Sequence, residues 1–312
     1  MVSITDNLKE GLKYPLYEPK KVGILGALYF IITFIVLGAG HIFFSSIKNI
    51  APTAILENAT AVSANSATVL ANNTIVANST AISTSGSALS GNIFSMISPV
   101  SSAEAIILLI IALIISLFVT GYLFRVIEFT VDGKNTLPEF NEFLNMLISG
   151  IKVVIVGFVY SIIPSILGIV GLSLSSNPSG IISGIGFIIL IIAIILGIIL
   201  GLMEIMAINN MAANNGSLRS AFEFKNVCHL ICSIGWIRFI GALIFLILVS
   251  TILTFAFAFV SIIIVMICSL AGEIGTYIGL VIMAIIIVLL TSYLQVVTFR
   301  YYGALYNEAI LE

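Results

Sequence analysis

The chain has 312 residues, of which 60% are hydrophobic and only 8% charged, with a formal net charge of −2. A soluble domain carries about 25% charged residues, so at a mean hydropathy of +1.23 lipid must be the solvent for most of this chain. The slightly acidic balance excludes the basic footprint that nucleic acid binding requires.

Taken in chain order, the first signal is Ser3-Ile4-Thr5-Asp6, a capping-box-like start followed by Ile4, Leu8 and Leu12 at helical spacing. Pro15 and Pro19 are expected to shorten that helix. Six apolar runs long enough to cross a bilayer follow, at 22–44, 105–124, 151–174, 181–203, 239–268 and 274–299. The fifth is long for one crossing and is expected to tilt or to extend past the hydrocarbon. Eleven of the twelve Lys and Arg residues then fall on one side, with Lys48 alone on the other. The positive-inside rule therefore predicts a multi-pass protein of the cell membrane with both termini cytoplasmic, its whole length (1–312) one integral membrane domain.

Between the first two runs, residues 45–102 turn to Ser, Thr, Asn and Ala with almost no charge. A stretch so poor in large apolar groups cannot offset its own ordering entropy, so a loose extracytoplasmic insertion is expected. It holds three Asn-x-Ser/Thr triplets, at Asn58, Asn72 and Asn78, which are candidate glycosylation sites.

The opposite side carries more pattern. Thr136-Leu137-Pro138-Glu139 reads as a capping box opening an amphipathic helix through Phe140, Phe143, Leu144, Leu147, Ile148 and Ile151. Ser220-Ala221-Phe222-Glu223 reads as a second, ahead of Phe224, Val227, Cys228, Ile231 and Ile234. The fold expected is all-α: six transmembrane helices arranged as three hairpins, each preceded by an amphipathic interfacial helix, in a pseudo-threefold internal repeat. Hydrophobic burial in lipid, more than attraction to anionic headgroups, is expected to hold those short helices at the surface.

At these residues the chain resembles a family of uncharacterised archaeal membrane proteins, of methanogen type, classified only as a domain of unknown function. The matching stretches are Leu12-Lys13-Tyr14-Pro15 with Pro19-Lys20-Lys21; Gly121-Tyr122-Leu123-Phe124-Arg125 with Leu137-Pro138-Glu139-Phe140 and Gly150-Ile151-Lys152; and Ala221-Phe222-Glu223-Phe224 with Gly235-Trp236. The resemblance covers nearly the whole chain outside the polar insertion and implies no catalytic residues. More distantly, the layout looks like the membrane domain joined to some bacterial glycerophosphodiesterases, without their catalytic domain.

Chemistry is sparse. His41 and His229 fall on opposite predicted sides, and no nucleophile elbow, HExxH or phosphate-cradling loop occurs. Cys228 and Cys232 would share a helix face, but two thiols without further ligands do not close a zinc site, so no metal and no cofactor are expected. With the acidic residues placed at span ends or in loops, a proton relay and an intramembrane hydrolase are not expected either. The candidate site is the mouth where the even-numbered spans end. Under threefold symmetry Arg125, Glu128, Glu204, Asn209, Gln295 and Arg300 would converge there and could bind an anionic headgroup or a small solute. Ordinary interfacial anchoring, with the tyrosines in the aromatic belt, is the simpler account of Arg125 and Arg300. The function expected is therefore that of a non-enzymatic scaffold or interaction protein of the cell envelope, with the lipid bilayer as its surroundings and protein partners at the polar insertion or the short helices. The alternative is a transporter or channel for a small solute or lipid that uses the polar cluster.

Overall fold

The computed structural model describes residues 4–42 and 99–311, and within them every element is a helix. Asn58, Asn72 and Asn78, Ser3 of the first capping box and nearly all of the polar insertion lie outside the described residues; residues 99–102, assigned to that insertion from sequence, are helical. In chain order the helices are α1 (Ile4–Tyr17), α2 (Pro19–Ile42), α3 (Pro99–Val131), α4 (Phe143–Ser175), α5 (Gly180–Ala213), α6 (Leu218–Ala221), α7 (Phe224–Ile234), α8 (Trp236–Ser269) and α9 (Gly272–Leu311). Six of them are long and apolar enough to cross a membrane. At 1.5 Å per residue, the 40 residues of α9 reach about 60 Å, roughly twice the hydrocarbon thickness, so the helix is longer than one crossing requires.

Two compact units divide the chain: Met1–Phe30 with Ile115–Glu312, and Ile31–Ile114. The second contains the C-terminal part of α2 and the N-terminal part of α3. The packing described next belongs to the first. There α4 and α5, joined by a short turn, run antiparallel, with Gly157 facing Glu204, Gly171 facing Leu190 and Gly186 facing Ser175. Helices α8 and α9 do the same around Gly275 and Cys268. α3 crosses α4 almost backbone to backbone: a Cβ on Gly121 would overlap the carbonyl of Met146, and one on Gly150 the carbonyl of Leu117. Glycine at both positions is what permits the approach, the usual device where lipid supplies no hydrophobic drive between helices.

The hydrophobic core sits at one end of these helices, the end that bears the basic residues. Phe124, Ile127, Met206, Met211, Ile231, Phe239, Tyr301 and Leu305 are all essentially inaccessible there. Helix α7 contributes Val227, Leu230, Ile231 and Ile234 to this core, and α1 turns Leu8, Gly11 and Tyr14 inward, Gly11 against Val297 of α9. The apolar stripes of both short helices are thus spent on protein, which corrects the expectation that lipid receives them. Toward the opposite end, Ile166, Ile169, Ile188, Ile195, Phe259 and Ile262 stand exposed, as side chains bathed in acyl chains would.

Neither remaining capping box forms. Residues 132–142 are not helical, and α4 starts at Phe143 after Glu142, which adopts a left-handed conformation (φ 56°, ψ 51°) without a capping hydrogen bond. Ser220 lies inside the short α6 and donates to the carbonyl of Ser217 at 2.6 Å, while α7 begins at Phe224. In each case the competitor is visible: side chains from other helices have claimed the carbonyls that a local helix would use. Asn210 donates to Ser220 O (2.8 Å) and Tyr160 to Ala221 O (2.9 Å); the larger example builds the candidate site. Pro15 is accommodated inside α1, which continues to Tyr17 before Pro19 opens α2.

Candidate functional site

Helix α3 ends with Gly133 in a left-handed conformation (φ 71°), Gly133 N–H bonding Thr130 O at 3.0 Å and Lys134 N–H bonding Phe129 O at 2.8 Å. Glycine at this position is the common way to close a helix, because a Cβ is strained at positive φ. The chain that emerges, 134–141, is a strap whose carbonyls are collected by five side chains. Arg300 of α9 donates to Lys134 O at 2.8 Å, Tyr14 of α1 to Thr136 O at 2.8 Å, and Lys21 of α2 to Leu137 O at 2.7 Å. Tyr122 and Arg125 of α3 donate to Pro138 O (3.3 Å) and Asn141 O (2.9 Å). Leu137 and Pro138 are buried beneath the strap, and Phe140 stacks on Tyr122 with ring centroids 4.2 Å apart.

Arg300 is the centre of this arrangement. It is 8% exposed; its second donor bonds Asn135 Oδ1 at 2.7 Å, and its guanidinium lies 4.5 Å above the ring of Tyr14. Two of its five N–H groups are therefore occupied by neutral acceptors. Among the described residues it forms no ion pair with a carboxylate. Tyr14, 1% exposed, is held there by burial, which pushes its phenol up from 10.0 to about 12; Arg300 pulls partly the other way and Glu18 adds to the rise. A second tyrosine clamp, Tyr293 to Leu12 O at 2.6 Å, fastens α1 to α9.

Two adjoining clefts of about 370 and 450 Å³ open beside Arg300 and share Arg300, Asn135 and Glu10. The first continues to Asn307 and Glu308 near the end of α9, the second to Tyr14 and Glu18. Glu308 is 8% exposed, contacts Arg238 of α8 through Oε1, and leaves Oε2 buried without a hydrogen-bond partner. Glu18 is paired with Lys21 at 2.5 Å.

Of the six residues expected to converge, only Arg300 lines this cleft. Arg125 grips the far end of the strap and pairs with Glu142 at 3.2 Å. Glu128 sits at the turn after α5, where a Cβ on Gly216 would lie 3.9 Å from its Oε1 and 3.5 Å from Lys152 Nζ. Glu204 fits into space left by Gly157, where a Cβ would approach its Oε1 to 2.9 Å. Asn209 is fully buried, donating to Tyr302 O at 3.1 Å with its Oδ1 unpartnered, and Gln295 is half-buried on α9.

Glu10, Asn135, Asn307 and Glu308 are the cleft residues that the sequence reading missed. It ended the sixth span at 299, yet Tyr301, Leu305, Tyr306 and Ala309 repeat at helical spacing and are buried, a stripe that marks α9 as continuing. Among the described residues no group of three His, Cys, Asp or Glu side chains could hold a metal ion. Cys228 and Cys232 are free thiols, the first half-buried and pushed up in pKa by burial and by its contact with the second.

No curated protein and no solved structure matches the chain. The family described as protein of unknown function (DUF4013) matches residues 105–268, from α3 to the end of α8 and so including the strap. That match covers more than half of the 312 residues, and the chain belongs to the DUF4013 family.

Proposed function

We propose that this chain is a non-enzymatic membrane protein of the cell envelope that binds a small polar ligand at its basic end. One observation carries the reading: Arg300 is nine-tenths buried, has no carboxylate counter-ion among the described residues, and forms the wall of an open cleft. A buried charge is ordinarily paired, and an oxyanion supplied by a ligand would complete the site. The distribution of basic residues supports cytoplasmic termini, and with them a cleft facing the cytoplasm. The antiparallel pairs α4 with α5 and α8 with α9 support, in the same spirit, three hairpins as a pseudo-threefold repeat.

A second reading, transport of a small solute or lipid, draws on a groove of about 310 Å³ along α8 and α9 lined by Ser250, Thr254, Thr298 and Tyr302. The test of binding is the thermal unfolding midpoint of the purified chain with 10 mM inorganic phosphate, glutamate or phosphoethanolamine. Ligand at ten times its Kd adds about 1.4 kcal/mol, so at least one probe is expected to raise the midpoint by a few degrees and to lose that effect in Arg300→Lys. If none does, the binding reading fails. Flux of the bound probe into proteoliposomes separates transport from binding alone.

A further inference from the structure

The charge distribution in the cleft says more about the ligand than Arg300 does alone. Resting on the reading that the cleft binds at all, the question is what fits beside a cation that already has carboxylates nearby. Glu10 lines both parts of the cleft, is exposed, and acts electrostatically on Arg300 without pairing to it. Glu308 lines the deeper part, nine-tenths buried, with Oε1 committed to Arg238 and Oε2 unpartnered.

A simple anion on Arg300 would meet the charge of Glu10 and would leave Glu308 Oε2 as it is. A simple cation between the two carboxylates would be repelled by Arg300. A molecule carrying both charges meets neither objection. Its oxyanion receives the remaining N–H groups of Arg300, whose planar fork suits carboxylate or phosphate. Its ammonium has three donors and can reach Glu10 and the unpartnered oxygen of Glu308, with Asn135 and Asn307 between the two poles. A volume of about 370 Å³ lies at the small end of ligand pockets.

We propose that the cleft binds a small zwitterion with an oxyanion on Arg300 and a primary ammonium between Glu10 and Glu308. The same chemistry is offered by a free aminophosphate or amino acid and by an aminophospholipid headgroup.

The test is calorimetric titration of the full chain in a maltoside detergent with phosphoethanolamine, inorganic phosphate and ethanolamine separately. Phosphoethanolamine is expected to bind at least about tenfold more tightly than either half, a difference worth about 1.4 kcal/mol. Glu10→Gln, at an exposed position where folding is not at risk, is expected to erase the advantage over phosphate while leaving phosphate binding equal or stronger. Arg300→Lys is expected to weaken phosphoethanolamine and phosphate together, about tenfold. Nanodiscs containing phosphatidylethanolamine, compared with phosphatidylglycerol, assign the source: competition with the soluble probe points to the headgroup, and its absence to a free solute. Equal binding of phosphate and phosphoethanolamine, unchanged by Glu10→Gln, overturns the zwitterion while leaving an anion site at Arg300. No binding by any of the probes removes the site as well.

Discussion

The two ends of the membrane helices are held in different ways. At the basic end, side chains from α1, α2, α3 and α9 are tied to the strap by hydrogen bonds, over a core of inaccessible aromatic and aliphatic residues. Toward the other end, α4, α5 and α8 expose Ile166, Ile188, Ile195 and Phe259 and keep few buried positions. Lipid tails are as apolar as isoleucine, so burying such side chains against protein gains little there. Where the helices leave the hydrocarbon, water restores the hydrophobic drive and leaves loop carbonyls in need of donors.

Substitutions in the two regions should therefore differ sharply. The largest loss is expected from Gly121→Ala, whose Cβ overlaps the Met146 carbonyl; overpacking against backbone costs about 3 kcal/mol. Gly168→Ala, with nothing within 4 Å of the new atom, serves as its control, and unfolding in a denaturing detergent series would show the contrast or abolish it. Next, Arg300→Met removes two hydrogen bonds and the contact with the Tyr14 ring, for about 2 kcal/mol. Amide hydrogen exchange should then rise in 134–141 more than in α5, and uniform exchange would mean that Arg300 does not hold the strap.

Tyr14→Phe is milder, about 1 kcal/mol at neutral pH, but it should change the alkaline limb of stability. Below pH 10 the phenol is protonated in both states and its contribution is whole. Between 10 and about 12 the unfolded chain releases the proton while the folded chain retains it, so stability falls as pH rises, by up to about 3 kcal/mol. The phenylalanine chain should lack that share of the loss, and identical alkaline profiles would contradict the burial of Tyr14. The smallest effect is expected at Ile188→Ala and Ile195→Ala, within about 0.5 kcal/mol each, because lipid replaces lipid-like side chains.

The spans were legible because their signal is one-dimensional: about 20 apolar residues in a row suffice, whatever surrounds them. Helix α7 was equally legible from Val227, Ile231 and Ile234. The strap was not. Thr136-Leu137-Pro138-Glu139 has the residues of a helix start, and nothing adjacent in the chain reveals that Tyr14 and Arg300 will take the carbonyls of Thr136 and Lys134. Of the candidate cluster only Arg300 lines the cleft, because the place of a side chain along its helix can be read from the sequence whereas the meeting of side chains from several helices cannot.

The residues by themselves marked this chain as one for lipid and located six segments long and apolar enough to cross it, because each of these depends on transfer free energy summed along contiguous segments. Only the tertiary structure decided where the strap runs, that the stripes of α1 and α7 are consumed by the core, and that Glu10, Asn135, Arg300 and Glu308 border one cleft. Those outcomes depend on hydrogen bonds and close contacts between different helices, several of them between residues more than a hundred positions apart, for which no local pattern exists.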